Sequence, residues 1–170
     1  AESSSRPSDR PKIGEALIQA ARRAGDMLPV HGALIIDALL AVLRNAGPSS
    51  ALDADLLDLQ ASALSILATV LACLGHSAGP GLVTVGAAVA QLIEPPLGRA
   101  SDAVPVELRR AAAFLFAEVF GGLADRDVAL TSLVSAADAA SWRGALNRVQ
   151  HADPDAAVRG HSQVALSFLR

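Results

Sequence analysis

The sequence predicts an all-α fold, an α-solenoid of HEAT- or armadillo-like stacked helical hairpins with about seven helices. The first observation is a recurring pattern: Leu59-Gln60-Ala61-Ser62-Ala63, Leu108-Arg109-Arg110-Ala111-Ala112 and Val158-Arg159-Gly160-His161-Ser162, separated by 49 and 50 positions. Self-similarity at about 20–50 residues marks repeat architectures, in which each unit buries its apolar face against the next. The second is apolar spacing at helical period, with no alternation long enough for a strand. The third is a hydrophobic share of 52%, enough to fill a core and rich in Ala, Leu and Val.

Each element follows in turn. Residues 1–11 are rich in Ser, Pro, Arg and Asp, lack the apolar stretch of a signal peptide, and are expected to form a flexible tail. From Lys12 to Ala24, Ile13, Ala16, Leu17, Ala20, Ala21 and Ala24 recur at helical spacing until Gly25-Asp26. The second helix has Pro29 in its first turn and a wide apolar face of Leu34, Ile35, Ala38, Leu39, Val42 and Leu43, ended by Asn45-Ala46-Gly47-Pro48. These make a first hairpin over 12–46.

A helix capped by Asp53 or Asp55 then runs to about Leu74. Gly75 to Gly81 break it, and Leu82 to Ile93 return, giving a second hairpin over 54–94 closed by Pro95-Pro96. The third, 106–150, begins near Pro105 or Val106, runs to Phe120, turns at Gly121-Gly122 and returns from about Asp127, with a bend expected near Ser141-Trp142. Asp153-Pro154-Asp155 opens a final helix over 154–170, because an Asp side chain caps free amides and Pro fits a first turn.

Composition narrows the function. Net charge is −3 and pI about 5.7, the basic residues are scattered, and four Phe, one Trp and no Tyr offer few stacking platforms. Nucleic-acid binding is not expected. The lone Cys73 excludes an internal disulfide framework, and Cys73 with His76 falls short of the about four ligands of a closed zinc site. Neither a Gly-x-Ser-x-Gly elbow nor a phosphate-cradling loop occurs, so no catalytic, cofactor or metal residue is assigned and no enzyme is expected.

The clustered Asp53, Asp55 and Asp58 read as helix-start carboxylates, and His151 and His161 as flanks of the last helix start. Arg22-Arg23 and Arg109-Arg110 read as solvated faces or contacts between repeats. Between Asp58 and Glu94 no formal charge intervenes, and each half around His76 is 17 residues long. That meets the lower limit of about 17–25 residues for a membrane span, so a membrane hairpin is the alternative to a buried central hairpin. The partner surface is expected on the second helix of each hairpin, where His31, Asp37, Arg44 and Gln91 interrupt apolar elements.

The order of motifs also resembles the C-terminal helical repeats of the RNA polymerase II nuclear-import factors, whose animal members are called transport and Golgi organization proteins. The likeness lies in Gly14-Glu15-Ala16-Leu17, Arg22 to Pro29 with its Gly-acid-x-x-Pro turn, Leu34 to Leu43, and Ala61 to Leu67. Val106 to Ala112 and Asp153 to Leu166 look like the family's closing helices. Gln60 stands where the family usually has Arg, Ile66 where it has Asn, and Arg44-Asn45-Ala46-Gly47 replaces a tighter connection. The resemblance implies a HEAT-repeat segment that bridges RNA polymerase II subunits and nuclear-pore proteins, cytoplasmic and shuttling to the nucleus, with a secretory-pathway role as the other branch. It carries over no catalytic residue.

Overall fold

In the computed structural model the described residues are 28–44, 54–94 and 104–169, with Gln19. Among them every regular element is helical: α1 (Leu28–Arg44), α2 (Ala54–Leu74), α3 (Gly79–Ile93), α4 (Val106–Ala124), α5 (Ala136–Ala152) and α6 (Ala156–Ser167). The predicted tail and the body of the predicted first helix lie outside the described residues. So does Asp53; Asp55 sits in the first turn of α2.

The helices form two rows. In one, α4 packs along both α2 and α6; in the other, α3 lies between α1 and α5. Between the rows α1 packs on α2, α3 on α4 and α5 on α6. The consecutive pairs α2–α3 and α4–α5, which the sequence groups as hairpins, have few close backbone approaches. The motif repeated at about 50 residues falls on α2, α4 and α6, the three members of one row. Arg110 meets Asp155 and Phe114 meets His161, while a Cβ on Gly121 would touch Phe168. This progression makes α4 and α6 parallel.

The core is continuous. Leu64, Leu67 and Leu71 from α2, Leu82, Val85 and Val89 from α3, and Leu115 and Phe116 from α4 are fully buried. This burial accounts for the charge-free stretch between Asp58 and Glu94, since a helix enclosed on several sides has little need of charge. Ala112 is also fully buried, as its small size in the repeated motif predicts.

Several element ends differ from expectation. On α1 the buried residues are Gly32, Ile36 and Leu40, spaced by four, while Leu34 and Ala38 of the predicted apolar face are exposed. Gly75, at φ +53°, sits where α2 gives way to a 3-10 turn over Gly75–Ala78, and α3 begins at Gly79, before the expected Leu82. Pro80 sits in the first turn of α3, where its missing N–H costs nothing.

Gly121-Gly122 does not end α4, which continues to Ala124. A Cβ on Gly122 would come within 2.8 Å of the Ala72 Cβ, so this glycine serves close approach of α2 and not a turn. The helix stops at a Schellman arrangement: Val128 N–H donates to Leu123 C=O and Asp127 N–H to Ala124 C=O, with Asp127 at φ +56° and Val128 buried. A 3-10 turn over Leu130–Ser132 follows, and α5 starts only at Ala136, capped by Ser135, whose hydroxyl accepts from the Asp138 N–H. It continues unbroken through Ser141-Trp142, where a bend was expected.

Trp142 is enclosed by its neighbours at that position. Its ring lies 5.7 Å from Phe116 and 6.2 Å from Phe120 between centroids, and a Cβ on Gly86 would overlap its six-membered ring. One indole thus joins α3, α4 and α5 in an apolar junction.

Candidate interaction surface

The four predicted partner-binding residues, His31, Asp37, Arg44 and Gln91, are all exposed. The first three lie on α1 and Gln91 on α3, two helices of the same row. Seven residues separate Asp37 from Arg44, which puts them on one stripe; His31 is about a third of a turn away around the helix. The same stripe carries Val30, Leu34 and Ala41, at the i, i+4, i+7, i+11, i+14 spacing of a helix seam. Val30 is 68% and Leu34 69% exposed, the largest values among the big apolar side chains of the described residues. The apolar spacing places Leu34 on the wide apolar face of the helix and does not include Val30. The signal that separates the faces is the four-residue spacing of Gly32, Ile36 and Leu40, with Gly32 set closely against Leu74.

The arginine pair of the repeated motif forms contacts between helices. Arg109, on α4, is buried and donates from Nε to Asp153 Oδ2 at 2.9 Å and from Nη1 to the Val104 carbonyl at 2.6 Å. Arg110 points the other way and meets Asp155 at 2.6 Å, with its own side chain half exposed. Asp155 also accepts from the Ala157 and Val158 amides, so it caps α6 as predicted. Hydrogen bonding from Arg110, then from the Val158 amide, holds the Asp155 carboxyl well below the usual carboxylate range. Arg159 donates to the Asp153 and Pro154 carbonyls and closes the joint.

The remaining candidates are dispersed. Cys73 is half-buried and His76 exposed, and no group of three or more potential metal ligands occurs among the described residues. His151 is exposed in the last turn of α5, and His161 is half-buried, edge-on to Phe114 at 5.3 Å. Gln60, where the resembled family has Arg, is buried with its Oε1 unpartnered among the described residues. Among the described residues these placements define an all-helical arrangement in which Arg109, Arg110 and Arg159 of the repeated motif tie α4 and α6 to the α5–α6 joint. No protein-family model, curated protein or solved structure matches the chain.

Proposed function

We propose that the chain is a protein-interaction scaffold, a segment of an α-solenoid of HEAT-like hairpins. The observation that supports this most is the two-row packing, in which each helix meets its neighbours and α1 keeps one stripe exposed. The stripe of Val30, Leu34, Asp37 and Arg44, with Gln91 on α3, is the surface offered to a partner: apolar area supplies affinity, flanking charges supply register. Within this role, likeness of motif order supports a part in nuclear import of RNA polymerase II, in the cytoplasm with passage to the nucleus.

Affinity capture with the intact chain at two salt concentrations, read by mass spectrometry, tests both levels. Enrichment of RNA polymerase II subunits or nuclear-pore proteins is expected. Recovery of secretory-membrane proteins alone overturns the import assignment, and absence of any specific protein overturns the scaffold. Reversing charge at Asp37 and Arg44 together should weaken capture and leave the helical circular-dichroism signal intact; unchanged capture removes this stripe from the interface.

A second reading, a membrane-associated hairpin of the secretory pathway, is favoured by one observation: Ala54–Ile93 is long and apolar enough to cross a bilayer, with mean hydropathy 1.8. The full burial of Leu64, Leu67, Leu82 and Val85 against other helices weighs against it. Detergent-phase partitioning separates the two, because recovery in the aqueous phase overturns membrane insertion.

A further inference from the structure

The last two helices enclose a groove whose chemistry differs from the apolar stripe on α1. A recess of about 460 Å3 lies between α5 and α6, lined on one side by Arg143, Asn147 and Gln150 and on the other by Gln163, Leu166, Ser167 and Leu169. Three of these seven residues carry carboxamides, one a guanidinium, and none a carboxylate. Arg143 donates from Nη2 to the Leu169 carbonyl, which holds it in place, and its Nε and Nη1 groups make no hydrogen bond among the described residues. The next arginine on α5, Arg148, is by contrast engaged by Glu94 at the end of α3. The groove therefore carries net positive charge that its own walls do not offset.

This lining is poorly suited to another helix. A packed helix has its backbone groups satisfied internally, so it could offer these carboxamides and the guanidinium only its side chains as partners. An extended chain presents the complementary need: its N–H and C=O groups are free, and a carboxamide both donates and accepts as a peptide bond does. The spacing agrees. Arg143, Asn147 and Gln150 occupy one stripe at i, i+4 and i+7, a rise of about 10 Å at the helical 1.5 Å per residue. An extended chain covers that span in about three residues at about 3.3 Å each.

We propose that the α5–α6 groove binds an extended peptide segment of a partner protein, its backbone held by Asn147, Gln150 and Gln163 and an acidic side chain held by Arg143. This rests on the scaffold reading and names the chemical class of one partner. A guanidinium recognises a carboxylate through paired N–H donors, so the peptide is read at one acidic position and accepted broadly elsewhere.

The test is panning of a displayed library of random short peptides against the full chain, followed by fluorescence anisotropy on the enriched sequences made synthetically. Enriched peptides should carry Asp or Glu at one fixed position and bind N147A/Q163A about tenfold more weakly or worse. R143E should shift selection towards Lys or Arg at that position. All three residues are exposed, so the variants are expected to keep the wild-type circular-dichroism spectrum. Absence of enriched peptides, peptides lacking an acidic position, or peptides that bind N147A/Q163A as tightly as wild type would each overturn the groove. If peptides of the last kind lose binding on reversal of Asp37 and Arg44, the scaffold stands and only the groove falls.

Discussion

Asp153 lies buried where α5 hands over to α6, with the Arg109 guanidinium against it and the Asp155 amide donating to its Oδ1. Removing one member of a buried ion pair leaves the other charge in a medium that solvates it poorly. Asp153→Ala is therefore expected to destabilise by about 3–5 kcal/mol, read as a lower urea midpoint at unchanged slope. Asp155 acts differently, being a helix cap and the half-buried partner of the exposed Arg110 at once. Its folded-state pKa lies below the unfolded value of about 3.9, so its contribution is fully present above that pH and is lost as pH falls below it. Asp155→Asn keeps a capping oxygen but removes the charge. Its urea midpoint should drop less than that of wild type between neutral pH and about pH 3, and equal drops would show that the ion pair carries no stability. The arginine doublet illustrates what the sequence shows and hides at this scale. From its place in the motif Arg109-Arg110 reads as either a solvated face or a contact between repeats; that one is buried and the other exposed depends on a carboxylate pair 44 and 45 residues away.

Helix-forming preference and packing conflict at the glycines of the elements. Replacing a helical Gly by Ala is intrinsically favourable by up to about 1 kcal/mol. At Gly160 on α6 a Cβ would meet nothing within 4 Å, so Gly160→Ala should raise the melting temperature. At Gly86 the same change drives a methyl group into the Trp142 ring, and overpacking of about 1–3 kcal/mol should outweigh the propensity gain. The two variants are expected to move the urea midpoint in opposite directions. A third, Ala112→Asp, places a carboxylate at a fully buried position and should cost several kcal/mol, about the scale of an unpaired buried charge. An unchanged melting temperature would show α4 to be placed incorrectly. Helix existence was legible from apolar period and caps, as at α6, where Asp155 does what Asp-Pro-Asp predicts. Helix ends were less so: Gly121-Gly122 has the local signature of a stop, but the reason for Gly122 is Ala72, 50 residues earlier and on another helix. The true stop, at Asp127, uses a residue type that tolerates positive φ less well than glycine and gives a weaker signal.

For the whole molecule, the proposed solenoid reading implies that two rows of helices joined mainly to their neighbours would make stability a sum of local terms. Unfolding should then depart from a single all-or-none step: the transition followed by helical circular dichroism, an average over all helices, should not coincide with one that follows the α3–α4–α5 junction alone. Coincident transitions would show that the rows are coupled end to end. At this scale the row of α2, α4 and α6 was readable from the repeat, whereas the exposed stripe on α1 and the groove between α5 and α6 depend on how neighbours divide each helix surface, which no local pattern states. The junction also gives the experimenter an optical advantage. With one tryptophan and no tyrosine in the chain, ultraviolet emission excited at the indole band arises from Trp142 alone. Buried as it is, Trp142 is expected to emit blue-shifted light in the native state and to redden as water enters, a label already installed where three helices meet.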